Sequence, residues 1–187
     1  MRKLLLAIML AGVAGCVPPP ARVDLARTEA LDHSYNVDLP VGWIRHYTQN
    51  GPMLVSRDGF ALQVIGVIHR PLDKAFPKTK KAASDSMLPS ELAELWIAEL
   101  KTASLQTAAL TVIDNEPAVL DGRDGFRLRV SYRTPRGLEV NQMTYALADK
   151  SGYYQMDYVA PKLHYFDATS SDFEKVVASF RTAGKKE

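Results

Sequence analysis

The sequence predicts an α+β domain in which helices pack on an antiparallel sheet, and three observations carry that expectation. Short apolar runs separated by glycine and proline turn signals recur through much of the chain. Phe126, Leu128, Val130 and Tyr132 alternate with Arg127, Arg129, Ser131 and Arg133, the period of a strand buried on one face. After Pro89, and again after Ser171, apolar residues repeat at helical spacing instead.

Taken in order, Ser34 to Leu39 and Trp43 to Tyr47 are strands interrupted by Pro40-Val41-Gly42. Met53 to Ser56 and Phe60 to His69 flank Arg57-Asp58-Gly59, a hairpin signal, with Gly66 a position for a bulge or close packing. Residues 71–88, rich in proline, lysine and serine and containing Lys78, Lys80 and Lys81, read as a mobile surface loop. A helix follows, with Ser90 as N-cap and Glu91 in its first turn, carrying Leu92, Leu95, Trp96, Leu100 and Ala103.

Strands resume at Leu110 to Ile113 and Ala118 to Leu120, and Asp121-Gly122-Arg123-Asp124-Gly125 supplies two turn signals. The alternating strand, Val140 to Ala148 and Tyr153 to Val159 then form a three-strand meander, broken at Pro135-Arg136-Gly137 and Lys150-Ser151-Gly152. Ser171-Asp172-Phe173-Glu174 is a capping box that opens a last helix with Phe173, Val176, Val177 and Phe180 on one face.

Of 187 residues, 47% are hydrophobic and 24% charged, the balance of a folded domain. The formal charge of +2 lacks the basic surplus of a dedicated nucleic-acid binder. The apolar stretch from Leu4 to Val13 is shorter than a membrane span and follows Arg2 and Lys3, the pattern of an export signal. Val13-Ala14-Gly15-Cys16 resembles the bacterial lipobox. That resemblance implies removal of residues 1–15, a diacylglycerol and an N-acyl chain on Cys16, and no cofactor beyond these lipids. It also implies attachment to the membrane, and Val17 after the cysteine points to the outer membrane facing the periplasm. A generic secretory signal is the competing reading. Residues 16–29 are expected to be the lipidated cysteine and a tether, extended through Pro18, Pro19 and Pro20 and holding the domain off the bilayer. A single domain is expected over 30–182, with a polar tail at 183–187.

The opening Tyr35-Asn36-Val37-Asp38-Leu39-Pro40-Val41-Gly42-Trp43, the central helix, the meander and the closing stretch from Phe166 to Arg181 are similar to the PsbP-like family, including its DcrB-like bacterial lipoproteins. The likeness spans residues 34–181. It implies an α-β-α sandwich around a central antiparallel sheet. It also implies an accessory or binding role, as in a photosystem subunit and a small-GTPase-binding import factor. Its markers, Pro40, Gly42, Trp43, Ser179 and Phe180, are residues of the fold.

Signatures of chemistry are sparse. No Gly-x-Ser-x-Gly, Walker or dinucleotide-binding pattern occurs, and His33, His46, His69 and His164 lack metal-ligand spacing. Asp121 and Asp124 lack the oxygen-ligand spacing of a calcium loop. Arg127, Arg129, Arg133 and Arg136 are the candidate site for an anionic partner; the competing reading is a solvated face paired with carboxylates such as Glu139 or Asp157. Trp43, Tyr154 and Tyr158, with Tyr145, Tyr153 and Tyr165, are candidates for a ligand groove or, alternatively, for core packing. The expected function is that of a non-enzymatic, lipid-anchored envelope accessory protein that binds an envelope protein. The alternative is a periplasmic binding module for a small amphipathic or anionic ligand.

Overall fold

The computed structural model describes residues 18–25, 27–31, 34–48, 51–103 and 108–183. Strands β1 (Ala21–Arg22), β4 (Ile44–His46), β5 (Met53–Ser56) and β6 (Val64–Arg70) form one half of a large antiparallel sheet. The other half is β7 (Ala108–Leu120), β8 (Arg123–Arg133), β9 (Glu139–Asp149) and β10 (Gly152–Pro161). The order across the eight strands is β1-β4-β5-β6-β10-β9-β8-β7. A second, three-stranded sheet orders β11 (Arg181–Thr182), β3 (Tyr35–Leu39) and β2 (Arg27–Leu31).

Helix α1 (Pro89–Ala103) packs over β7, β8 and β9, whereas α2 (Tyr165–Ser179) packs over β10 and β3. Each face of the large sheet therefore has its own core. Phe126, Leu128 and Val130 of β8 join Leu92, Trp96 and Phe76 on the α1 side. Tyr154, Met156 and Tyr158 of β10 join Trp43, Phe173 and Phe180 on the α2 side. This is the layered α+β arrangement with a helix on each face, and the period of two in β8 and β10 is what sorts side chains between the cores.

Several elements depart from the sequence reading. Ala21–Arg22 pairs with Arg45 and Ile44, and Arg27–Leu31 pairs along β3, so part of the expected tether is built into the two sheets. The loop at 71–88 is packed rather than mobile. It contains a 3₁₀ turn at Leu72–Lys74 and a two-way backbone bridge between Phe76 and Lys81, and it buries Ala75, Phe76 and Ala83. The buried Glu99 carboxylate of α1 holds it down. It accepts the Lys78 and Thr79 N–H groups, both at 2.7 Å, and the Thr79 hydroxyl at 2.9 Å.

Both helices start earlier than their expected caps. Pro89 occupies the first position of α1, where its missing N–H costs nothing, and Glu91 reaches back to the Leu88 N–H at 2.8 Å. Ser171 lies inside α2, which begins at Tyr165 because Phe166 and Thr169 extend the buried stripe towards the N-terminus. Leu110 to Leu120 is one strand, not two: Pro117 is tolerated because β7 is an edge, and two register irregularities absorb the rest. The meander therefore has four strands. Asp121 and Gly122, with φ of 51° and 72°, make the tight β7–β8 turn. Gly125 is no turn at all; it sits in β8 where a Cβ would strike the Ala146 carbonyl.

Trp43 is fully buried and its indole N–H donates to Asp172 at 3.2 Å, tying the Pro40–Gly42 turn to α2. Trp43→Ala is expected to cost about 3–5 kcal/mol; a urea midpoint equal to that of the wild type would contradict this packing. Glu99→Ala removes the shared acceptor of the part-buried Lys78 and Thr79 N–H groups and is expected to cost about 1–2 kcal/mol. Limited trypsinolysis should then cut after Lys78, Lys80 or Lys81 faster than in the wild-type chain.

Candidate functional site

The alternation in β8 places Arg127, Arg129 and Arg133 on the face opposite α1, but the register gives them different partners. Asp114 and Glu116 of β7 stand across from Arg129 and Arg127. Arg127 lies 3.0 Å from Asp114 and 3.4 Å from Glu116, and Arg129 lies 2.8 Å from Asp114. Those two arginines are taken up by cross-strand ion pairs. Arg136 is exposed in the β8–β9 turn, beyond the strand. The four arginines thus do not form one anion site; Arg127 and Arg129 separate from Arg133 and Arg136. The expected pairing of Arg133 with Glu139 is present at 2.6 Å, whereas Asp157 lies elsewhere, under α1.

The aromatic candidates fill the core instead of lining a groove. Trp43, Tyr154 and Tyr158 are buried, and Tyr158 stacks on Phe173 while its hydroxyl meets the Phe166 carbonyl and Thr169. Tyr145 and Tyr153 are buried as well, and Tyr165 packs against the core from α2. His46 meets Ser56 at 2.8 Å, and His69 meets the Ser151 carbonyl oxygen at 3.1 Å. His33 and Cys16 lie outside the described residues. Among the described residues no group of three or more His, Cys, Asp or Glu is placed to hold a metal.

What the fold does build is an open cleft of about 560 Å³ at the end of β7, β8 and β9. Thr111, Ile113, Ser131, Tyr132, Arg133, Glu139 and Lys162 line it. A bulge creates one wall: Val112 pairs with Val130 and Asp114 with Arg129, which leaves Ile113 as the extra residue. The other wall is fastened where the Lys162 N–H donates to the Glu139 carbonyl at 2.9 Å. Glu139 sits between Arg133 and Lys162, at 2.6 and 3.4 Å, and these cations hold its carboxyl below the usual range. Burial, and then the Asp157 carboxylate under α1, push the Tyr132 hydroxyl up.

Ile113 exposes a large apolar side chain in the cleft, and Leu138 and Leu163, next in the chain to Glu139 and Lys162, are exposed as well. Two cations against one carboxylate, with Arg136 nearby, give the cleft a positive surplus. Such a surface suits a segment that is both acidic and apolar. Sequence reasoning reached Arg133 and Glu139 but missed Ile113, Tyr132 and Lys162. The bulge and the Lys162–Glu139 contact bring those together, and neither has a signature in the sequence.

The sequence profile of PsbP matches residues 26–182. This chain belongs to the PsbP family. No curated protein matches it in sequence. In structure it is similar to cyanobacterial PsbP from Synechocystis sp. PCC 6803, with 15% identity, 91% of this chain and 95% of that one covered, and a TM-score of 0.60. It is also similar to the Saccharomyces cerevisiae Ran-binding protein Mog1p, at 10% identity, with 85% and 96% covered and a TM-score of 0.57. A Bacteroides thetaiotaomicron structure matches at 10% identity and a TM-score of 0.52, over 87% of this chain and 50% of that one. At these identities the likeness is one of fold.

Beneath α1 this PsbP-family domain also holds a polar network. The Asp157 carboxylate accepts the Thr144 hydroxyl at 2.6 Å, the Gln142 amide at 3.1 Å and the Gln155 amide. The Trp96 indole N–H of α1 donates to Thr144 at 3.2 Å, and the Tyr153 hydroxyl donates to Gln155 at 3.1 Å. Burial raises the Asp157 pKa, and the three hydrogen bonds oppose that rise only in part. The folded state therefore holds this proton more tightly than the unfolded one. The resulting stabilisation is complete below the unfolded pKa and is lost as pH rises through the folded one. Urea titrations across this range should show the stability of the wild type falling relative to Asp157→Asn as pH rises, then a constant difference; a difference independent of pH would refute the assignment.

Proposed function

We propose that the protein is a non-enzymatic, lipid-anchored accessory protein of the bacterial envelope that binds a partner protein at the β7–β9 cleft. The observation that carries this reading is the combination in one open cleft of exposed Ile113 with Arg133 and Lys162. A surface with apolar anchors and a cationic rim matches a protein partner bearing an acidic, apolar segment.

Membership of the PsbP family supports the reading, and one solved protein of similar fold, Mog1p, is itself a Ran-binding protein. The anchor reading rests on Val13-Ala14-Gly15-Cys16 after a short apolar run, with diacylglycerol and an N-acyl chain on Cys16. Val17 supports the outer membrane, facing the periplasm, as its location. Among the described residues no helix is long and apolar enough to cross a membrane.

A photoreactive residue at Ile113 should give a discrete protein adduct in cells, whereas one at exposed Lys150, at the other end of β9, should not. Arg133→Glu with Lys162→Glu should reduce that adduct roughly tenfold. Equal adducts from both positions, or indifference to the charge reversal, would remove the cleft as the binding surface. A Cys16→Ser chain should lose the adduct along with its membrane attachment.

A further inference from the structure

The N-terminal strand lies at the opposite edge of the large sheet from the cleft. Ala21 and Arg22 pair with β4, and β1 is the outermost strand on that side. Five residue steps separate Cys16 from Ala21, so the chain between them spans at most about 18 Å, and about 15 Å in the extended form its prolines favour. The headgroup layer on one side of a bilayer is about 6 Å deep. A lipid on Cys16 would therefore keep the β1 edge within roughly 10 Å of the headgroups, far closer than a tether running to residue 29 would.

The side chains at that edge suit such a neighbour. Leu25, Val41 and Phe60 are exposed by 80%, 56% and 55%. Val23, two residues before Leu25, exchanges backbone hydrogen bonds with Gly42 and Trp43, which places Leu25 beside the Val41 turn. Arg22, Val41, Arg57 and Asp58 share the lining of an open cleft of about 490 Å³, and Phe60 lies two residues after Asp58 in the same loop, its ring tilted against His46 with centroids 4.1 Å apart. Charge does not drive the contact, because Arg22 pairs with Asp24 at 3.6 Å and Asp58 stands with Asp172 in the same cleft as Arg57.

We propose that this edge docks on the bilayer, with Leu25, Val41 and Phe60 seated among the lipid headgroups. The proposal rests on the lipid anchor proposed for Cys16. Its occupant is the lipid surface, and its driving force is short reach plus apolar contact rather than attraction to anionic lipid. The domain then stands on its β1 edge instead of hanging from a long tether. The sheet carries the partner cleft about 30 Å away across seven strand spacings.

Because the lipid would block Cys16, a single introduced cysteine can carry a fluorophore in the full chain. Val41→Cys, Phe60→Cys and Val119→Cys proteins, reconstituted in phosphatidylcholine vesicles with a nitroxide near the headgroups, read the depth of each position. Quenching at 41 and 60 should be roughly threefold stronger than at 119, and unchanged in about 0.5 M salt. Weak, equal quenching at all three positions, in protein whose intact mass includes the lipid, overturns the docking and leaves the anchor standing. An unmodified Cys16 overturns both. In a second arm, Val41→Asp with Phe60→Asp should bring quenching at a Leu25→Cys probe down to the Val119 level; undiminished quenching there also overturns the docking.

Discussion

Seven consecutive residue pairs, from Tyr153 against Arg70 to Val159 against Val64, join β10 to β6, and every larger feature of the fold depends on that pairing. It fuses the N-terminal strands and the C-terminal meander into one sheet, from elements far apart in sequence. Because β10 is interior, both of its faces must be covered. Tyr154, Met156 and Tyr158 supply one core and Tyr153 helps to supply the other. Shifting the register by one residue would exchange these faces and place the Asp157 network among the aromatic rings around Phe173. The network under α1 thus reinforces register, because Asp157 finds its donors on the Gln142 and Thr144 face.

The same register governs how charge is spent. Arginines spaced by two along β8 would repel one another if left bare. Asp114 and Glu116 on β7 neutralise the first pair, and Glu139 on β9 takes Arg133. Partly exposed pairs of this kind contribute little to stability. Their larger effect is on the surface, since they leave the middle of β8 without a cationic stripe and shift the positive surplus to the strand ends, where Lys162 joins Arg133 around a single carboxylate.

Local periodicity made the strands of the meander, the central helix and the Phe173-Val176 face legible in the sequence. What it could not convey were properties of the partner element. Arg27–Leu31 has no alternating apolar pattern and becomes a strand because β3 offers it an edge. The lysine-rich loop is ordered by Glu99, a residue on another element whose side chain in sequence looks like any exposed helix carboxylate. The arginines were found as residues but not as separate groups, because which carboxylate faces which guanidinium is set by the β7 bulge. The tyrosines were visible as a set, and their choice between groove and core was decided by how closely α2 packs on β10.

The bulge also constrains what kind of recognition the far edge permits. A free edge strand of thirteen residues would ordinarily invite another strand to pair with it. Here the register breaks between Val112 and Asp114, Pro117 removes a backbone donor, and Asp114 and Glu116 add charge beside it. Strand addition along β7 is therefore disfavoured over most of its length, even though apolar side chains are exposed on it. A partner at this end must be read by side chains, through Ile113 and the Arg133–Glu139–Lys162 group, and not by a continued backbone ladder. That distinction favours a folded partner surface over an extended peptide, and it follows from one extra residue in one strand.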